Sequence, residues 1–286
     1  MNRGDAMSPL DEQDAERGDA PLGIIAGSGY LDGVDPSALG VPVIEAAIET
    51  SQGVVTVQRA DAFVFLRRHG TDGYHPPHRV PHHAHLLALR ALGAREVVGL
   101  TSVGALRDEY APGTVMVPED YLSTHPPPTF AREGEALHIV PELDAGLRRR
   151  LEGVARRVMA AGSVPGPTAV VASGVYAETR GPRFETRAEV RALARDADVV
   201  GMTAASEATL AQELGLRYAI LSIVDNWAHG VTDEPLSLEG FRARQEENRR
   251  LAAAILSEII RTGGAPVRTH TDAQASSDSD QPGTMT

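Results

Sequence analysis

An arginine and a histidine stand together directly after an apolar run, where Phe63-Val-Phe-Leu-Arg67 leads into Arg68-His69-Gly70. A guanidinium fork and an imidazole at a strand exit can converge on one phosphate. The alternative is a solvated surface pair. A second candidate for anion handling is Leu22–Ala26 running into Gly27-Ser28-Gly29. Glycines permit a tight turn whose N–H groups approach an anion, and Ser28 adds a hydroxyl donor. Any strand-to-helix turn reads similarly, but a dinucleotide fingerprint needs a third glycine at position 32, which is Asp32. A third piece is Gly99-Leu-Thr-Ser-Val-Gly-Ala-Leu106, where Thr101 and Ser102 are expected at a strand end. Its small residues leave backbone amides open, or simply pack.

Other polar residues suit a heterocycle. In Gly174–Glu189, Thr186 caps a helix and Glu189, three residues on, completes a capping box. That leaves Phe184 and Glu185, an aromatic face and a carboxylate, at the mouth of the same strand-to-helix turn. Met202 and Thr203 end another apolar run, with Glu207 opening the next helix. The run Tyr218–Val224 ends in Asp225 and Asn226, which either cap a turn or read the edge of a ring.

His75, His78, His82, His83 and His85 form a local cluster of the kind metals use. It contains no Asp or Glu and no H-E-x-x-H spacing, and Pro76, Pro77 and Pro81 make it a stiff approach to a helix. No metal is expected.

The elements that must position these residues alternate. Strands are expected at Leu22–Ala26, Val54–Gln58, Phe63–Arg67, Glu96–Thr101, Thr114–Val117, Thr168–Ala172, Val199–Met202 and Arg217–Val224. Helices are expected at His82–Leu92, Leu143–Ala161, Arg187–Arg195, Ser206–Leu214 and Ser237–Arg261. Such alternation implies an α/β chain, a mainly parallel or mixed sheet covered on both faces by helices. Ligands then gather at the carboxyl ends of strands, where every candidate above sits. The 286 residues read as a single domain at 21–262, between polar tails at 1–20 and 263–286 expected to be disordered.

Composition narrows the function classes. A net charge of −12 argues against a nucleic-acid backbone or an anionic membrane as the main partner. The chain has no cysteine, so disulfides, thiolate catalysis and zinc–thiolate sites are excluded. Residues 1–20 carry six acidic residues and no apolar run, and no stretch approaches a membrane span of ~20 apolar residues, so a cytoplasmic protein is expected.

Taken together, Gly27-Ser28-Gly29, Arg68-His69-Gly70, Thr101-Ser102-Val103-Gly104, Gly181–Glu189 and Gly201-Met202-Thr203 occur in the order and spacing of trimeric purine nucleoside phosphorylases. The resemblance covers roughly residues 22–260. It is nearest to the methylthioadenosine and methylthioinosine phosphorylase branch, with Pro76–Val80 and Asn226-Trp227-Ala228 resembling the methylthioinosine enzymes. It implies the nucleoside phosphorylase fold, a partly barrel-like mixed sheet flanked by helices, and a homotrimer. By motif, Ser28, Arg68, His69, Thr101, Ser102 and Thr203 would hold phosphate. Met202 would pack under the ribose, Phe184 and Ala228 would line the base, and Glu185 with Asn226 would read its edge. Asp225 joins this nucleoside-binding set if the strand end is shifted by one residue. His138 matches a residue donated across a subunit interface towards the 5′ end of the sugar. The chain departs from the family where relatives have Val-Asn-Tyr, here Val80-Pro81-His82, and again after His138.

The implied chemistry is phosphorolysis of a purine nucleoside without metal, redox cofactor or covalent intermediate, phosphate being a co-substrate. A 6-oxopurine offers N1–H as donor and O6 and N7 as acceptors, which an ionised Glu185 and the Asn226 amide complement. In adenine-cleaving relatives these positions are typically Ser and Asp. Asn226, Glu185 and His69 are therefore the residues expected closest to the chemistry, with His69 as a phosphate ligand rather than a general base. The rivals are a methylthioadenosine phosphorylase, a hydrolytic nucleosidase, a nicotinamide-dependent oxidoreductase, and a catalytically silent nucleoside-binding protein.

Overall fold

Leu22–Ala26 buries all five residues, the signature of a strand covered on both faces. In the computed structural model, which describes residues 20–27, 42–162, 169–233 and 235–262, this strand, β1, lies between two parallel neighbours. One is β4 (Phe63–Arg67) and the other β5 (Glu96–Ala105). The antiparallel pairs β2 (Ile44–Thr50) with β3 (Gly53–Ala60), and β3 with β4, extend that side. Beyond β5 come β10 (Val199–Gly201), β9 (Val175–Glu178) and β7 (Asp120–Ser123). A branch leaves β5 through the parallel strand β11 (Arg217–Trp227), then β6 (Val115–Met116) and β8 (Val170–Val171). The sheet is mixed, with eleven strands among the described residues.

Helices cover both faces. Alternate residues of β1 point opposite ways, so Ile25 packs with α1 (His82–Ala91) and α4 (Ala204–Glu213), through Leu86, Leu89 and Leu210. Ile24 and Ala26 pack with α2 (Ala145–Ala160) and α5 (Leu238–Thr262), through Leu151, Ile255 and Ile259. The short α3 (Arg187–Leu193) carries the expected capping box, with Thr186 and Glu189 bonding each other's backbone N–H.

β5 positions the site. Along one edge it pairs with β1 through Glu96–Leu100 and then, antiparallel, with β10 at Gly104 and Ala105. The exits of β1 and β10 therefore meet head to head, leaving Thr101, Ser102 and Val103 between them on that edge. β5 was expected to stop at Thr101. It continues to Ala105 because β11 pairs with its other edge along the whole length, so Thr101 and Ser102 lie within a strand rather than at its end. β11 likewise continues past Val224, with a bulge at Asp225 that shifts the register between Val224 and Asn226.

The expected tails fall, apart from Ala20 at the boundary, outside the described residues. Among the described residues no helix is long and apolar enough to cross a membrane.

Candidate active site

Arg68 follows β4 and is almost wholly buried, at 1% exposure. A buried guanidinium needs a counter-charge, and Glu207 from the first turn of α4 supplies it. Arg68 Nε donates to Oε1 at 2.5 Å and NH2 donates to Oε2 at 2.9 Å. Burial opposes both charges, but the attraction and hydrogen bonds between the two override it, holding the Glu207 carboxyl well below its usual range and the guanidinium above its own. Tyr218 donates its hydroxyl to Glu207 Oε2 at 2.6 Å, a placement open only because Gly99 beneath it lacks a Cβ. The fork of Arg68 is thus turned on protein, not outwards. Its NH1 donates to the Leu100 carbonyl at 2.8 Å and lies against Gly27, which lines the same cavity as Arg68.

His69 is also buried, stacks on Tyr74 at 5.2 Å, and bonds the His75 carbonyl through Nδ1 at 2.7 Å. A carbonyl only accepts, so Nδ1 carries the proton. Burial pushes the ring down to about 4, with the His75 bond opposing it and the Arg68 charge adding to it. At neutral pH His69 therefore presents an unprotonated Nε2.

Thr101 and Ser102 of β5 and Thr203 at the end of β10 line the same cavity as Gly27, Arg68 and His69. Thr203 precedes α4 without capping it. Three amides around the start of α4 have side-chain partners: Tyr176 Oη accepts from Thr203 N and Ala204 N at 3.3 Å, and Glu178 accepts from Ser206 N at 3.0 Å and from the Ser206 hydroxyl.

The cavity, of about 320 Å³, continues to Phe184, Glu185, Met202, Asn226 and Ala228. That volume falls within the range of small-molecule sites. Thr179 donates its hydroxyl to Glu185 Oε1 at 2.5 Å, leaving Oε2 for another donor. The Asn226 amide rests against Gly104, where a Cβ would come within 3.3 Å of Nδ2. One of its two N–H groups donates to the Trp227 carbonyl at 2.7 Å; the other is directed elsewhere. Gly181 has φ +62° and lies so close to Met202 that a Cβ would meet Sδ at 2.5 Å, which fixes glycine there. Phe184 meets Phe241 of α5 edge to face at 5.5 Å.

The expected residues divide clearly. Arg68, His69, Thr101, Ser102, Thr203, Phe184, Glu185, Met202, Asn226 and Ala228 share one cavity. Ser28 lies outside the described residues. Asp225 does not line this cavity: the bulge turns its carboxyl to Ser102 and to Asn248 of α5. His138 is exposed and lines no part of the cavity within this chain. Of the histidine run, His85 is buried in the core, His82 Nδ1 stands 3.5 Å from Glu207 Oε1, and His83 bonds the Thr129 carbonyl at 3.0 Å.

Sequence reasoning missed four contributors. Glu207 was read only as opening a helix, and its partner lies 139 residues away. Tyr74 and the α5 residues Leu238 and Phe241 also line the cavity. Leu238 and Tyr74 are both exposed apolar side chains in the structure, a property that no local sequence pattern reports.

Comparison with known proteins identifies the family of the chain. The family model described as "Phosphorylase superfamily" matches residues 21–261. A probable 6-oxopurine nucleoside phosphorylase of Archaeoglobus fulgidus is 38% identical over 244 residues, covering 84% of this chain and 96% of its own. A probable S-methyl-5′-thioinosine phosphorylase of Xanthomonas campestris is 36% identical over 222 residues, 74% of this chain and 85% of its own. Among solved structures, methylthioadenosine phosphorylase from Schistosoma mansoni, in complex with adenine, superposes with a TM-score of 0.72 at 24% identity. That match covers 91% of this chain and 96% of the other, and shows the common fold. With a family match over nearly the whole described chain and relatives well above 30% identity, the chain belongs to the phosphorylase superfamily and is a nucleoside phosphorylase, a pentosyltransferase.

Proposed function

We propose that the protein phosphorolyses a 6-oxopurine (deoxy)ribonucleoside or its 5′-methylthio analogue, giving the free base and the sugar 1-phosphate. The observation that carries this reading is one cavity with an anion-suited cluster at one end and an acceptor–donor pair at the other. The 6-oxopurine names of the relatives point the same way.

At the phosphate end, the Arg68 charge is largely balanced by Glu207, so several neutral donors share the anion with it. Thr101, Thr203 and the NH1 edge of Arg68 orient the dianion below the anomeric carbon. The unprotonated Nε2 of His69 accepts the phosphate O–H, which turns an ionised oxygen towards the sugar. Met202 packs under the ribose. As the glycosidic bond lengthens, charge builds positively on the sugar and negatively on the purine. Phosphate stabilises the first, and the remaining Asn226 N–H stabilises the second at N7 or O6. Glu185 Oε2 accepts N1–H.

Adenine suits this pair poorly, because its N1 is itself an acceptor facing a carboxylate. The case for adenine rested on Asp225 reaching the base, and Asp225 is turned away. A homotrimer, bringing a neighbouring His138 to the 5′ end of the sugar, and a single catalytic unit at 21–262 are parts of the same proposal. The test is release of base from inosine, guanosine, methylthioinosine and methylthioadenosine, with and without phosphate. Equal release in phosphate-free buffer overturns phosphorolysis. Preference for the adenine nucleoside overturns the roles of Glu185 and Asn226.

A further inference from the structure

Asp225 has no solvent exposure and occupies the β11 bulge, bonded to Ser102, which lines the cavity. Ser102 donates its hydroxyl to Asp225 Oδ2, and Asn248 donates Nδ2 to Oδ1 at 2.8 Å and to the Val224 carbonyl at 3.1 Å. Gln245 adds a further bond from α5. None of these partners is charged. Arg244, which lines the adjoining hollow, pairs with Glu247 at 2.7 Å. The carboxyl is thus buried against neutral hydrogen-bonding groups, and one of them, Ser102, also faces the cavity.

A serine hydroxyl has a single hydrogen. While Ser102 gives it to an ionised Asp225, only its lone pairs face the cavity, and these repel an anion. Once Asp225 is protonated, Oδ2–H donates to Ser102 Oγ and frees the serine hydrogen for the anion.

We propose that Asp225 is a positioning residue for the anion, its protonation deciding whether Ser102 presents a donor or an acceptor to bound phosphate. This rests on the phosphate reading of the cavity. One proton is taken up at Asp225 when Ser102 turns to the anion and is released when the anion leaves. By linkage, a bound anion favours the protonated carboxyl as much as that carboxyl favours the anion. Burial pushes Asp225 up to about 7, against the opposing bonds from Ser102, Asn248 and Gln245, so the exchange falls in the working range. His69, pushed by burial to about 4, stays neutral there.

The probe is inorganic sulfate, which remains a dianion where phosphate titrates. It lacks the hydrogen that His69 accepts from phosphate, a loss that is the same at both pH values because His69 is neutral at each. Its affinity is measured by calorimetry on the full chain at about pH 6 and about pH 8.5, with competition against phosphate checked in the base-release assay. In the native protein, affinity falls about tenfold across that range, the worth of one hydrogen bond to a charged group. In Asp225→Asn the amide oxygen faces the Asn248 donor and the NH2 faces Ser102, mimicking the protonated acid. Binding then stays tight at both pH values. Ser102→Ala binds weakly at both. Thermal unfolding confirms that each variant is folded. A D225N profile that falls like the native one overturns the role of Asp225, as does a flat native profile. No sulfate binding, with base release indifferent to phosphate, overturns the phosphate reading and this inference with it.

Discussion

Arg68 and Glu207, 139 positions apart in sequence, form a two-pronged buried ion pair: Nε to Oε1 at 2.5 Å and NH2 to Oε2 at 2.9 Å. The pair joins the exit of β4 to the first turn of α4. It decides how much positive charge reaches the cavity.

Removing one partner strands the other. Glu207→Gln leaves a buried guanidinium without its counter-charge and costs about 3–5 kcal/mol of stability. Urea denaturation at neutral pH measures it. Loss of less than about 1 kcal/mol, the scale of an exposed pair, contradicts the buried pairing. Because the folded-state pKa of Glu207 is depressed, its contribution is fully present above the unfolded value of about 4.3 and is lost only as pH falls towards the lower folded value.

The buried histidines carry a different pH dependence. Burial lowers His69 to about 4 and His85 to about 3. The unfolded chain takes up these protons near pH 6.5, before the folded one does, so stability falls as pH drops from about 6.5 to about 4. Asp225 acts in the opposite sense, binding its proton more readily when folded. His85→Leu, which removes a titrating group lying in the core, flattens the decline. A denaturation series at several pH values that slopes equally in both proteins contradicts this.

Gly27 has no room for a side chain. A Cβ there comes within 2.7 Å of Arg68 NH1 and 3.1 Å of the Leu100 carbonyl, and the guanidinium is pinned by Glu207. Gly27→Ala therefore raises the phosphate KM about tenfold or more, and overpacking costs about 1–3 kcal/mol. An unchanged phosphate KM argues against an anion at the NH1 edge.

On the proposed reading, base choice follows from Glu185 and Asn226. Glu185→Gln exchanges an acceptor for an amide and lowers kcat/KM for inosine by about 10- to 100-fold, the scale of one mismatched buried polar contact. Adding Asn226→Asp shifts preference towards the adenine nucleoside. Steady-state kinetics with the two substrates reads both effects. A double variant that keeps the native preference means that other residues read the base.

Much of this was legible in the sequence because Arg68, His69, Met202 and Thr203 directly follow strands, and strands such as β1 and β4 announce themselves as short apolar runs. β2 was missed because Ile44-Glu-Ala-Ala-Ile-Glu-Thr is rich in Ala and Glu, poor strand formers, and lies at a half-exposed edge. β7 and β9 were missed because four residues each is too short for a periodic signal. Their pairing is set by register against each other and β10. The partners of Arg68 and Asp225 were not legible, since neither a contact across 139 residues nor a bulge leaves a local pattern. Asp225 next to Asn226 looked like two candidates for one role, and the bulge separates them.

The central claim is that phosphate, not water, displaces the base. Phosphorus NMR of the reaction with inosine or methylthioinosine measures it directly, alongside release of hypoxanthine. The expected result is one sugar 1-phosphate formed, and one inorganic phosphate consumed, for every base released. Base released with free reducing sugar and no change in phosphate would contradict it.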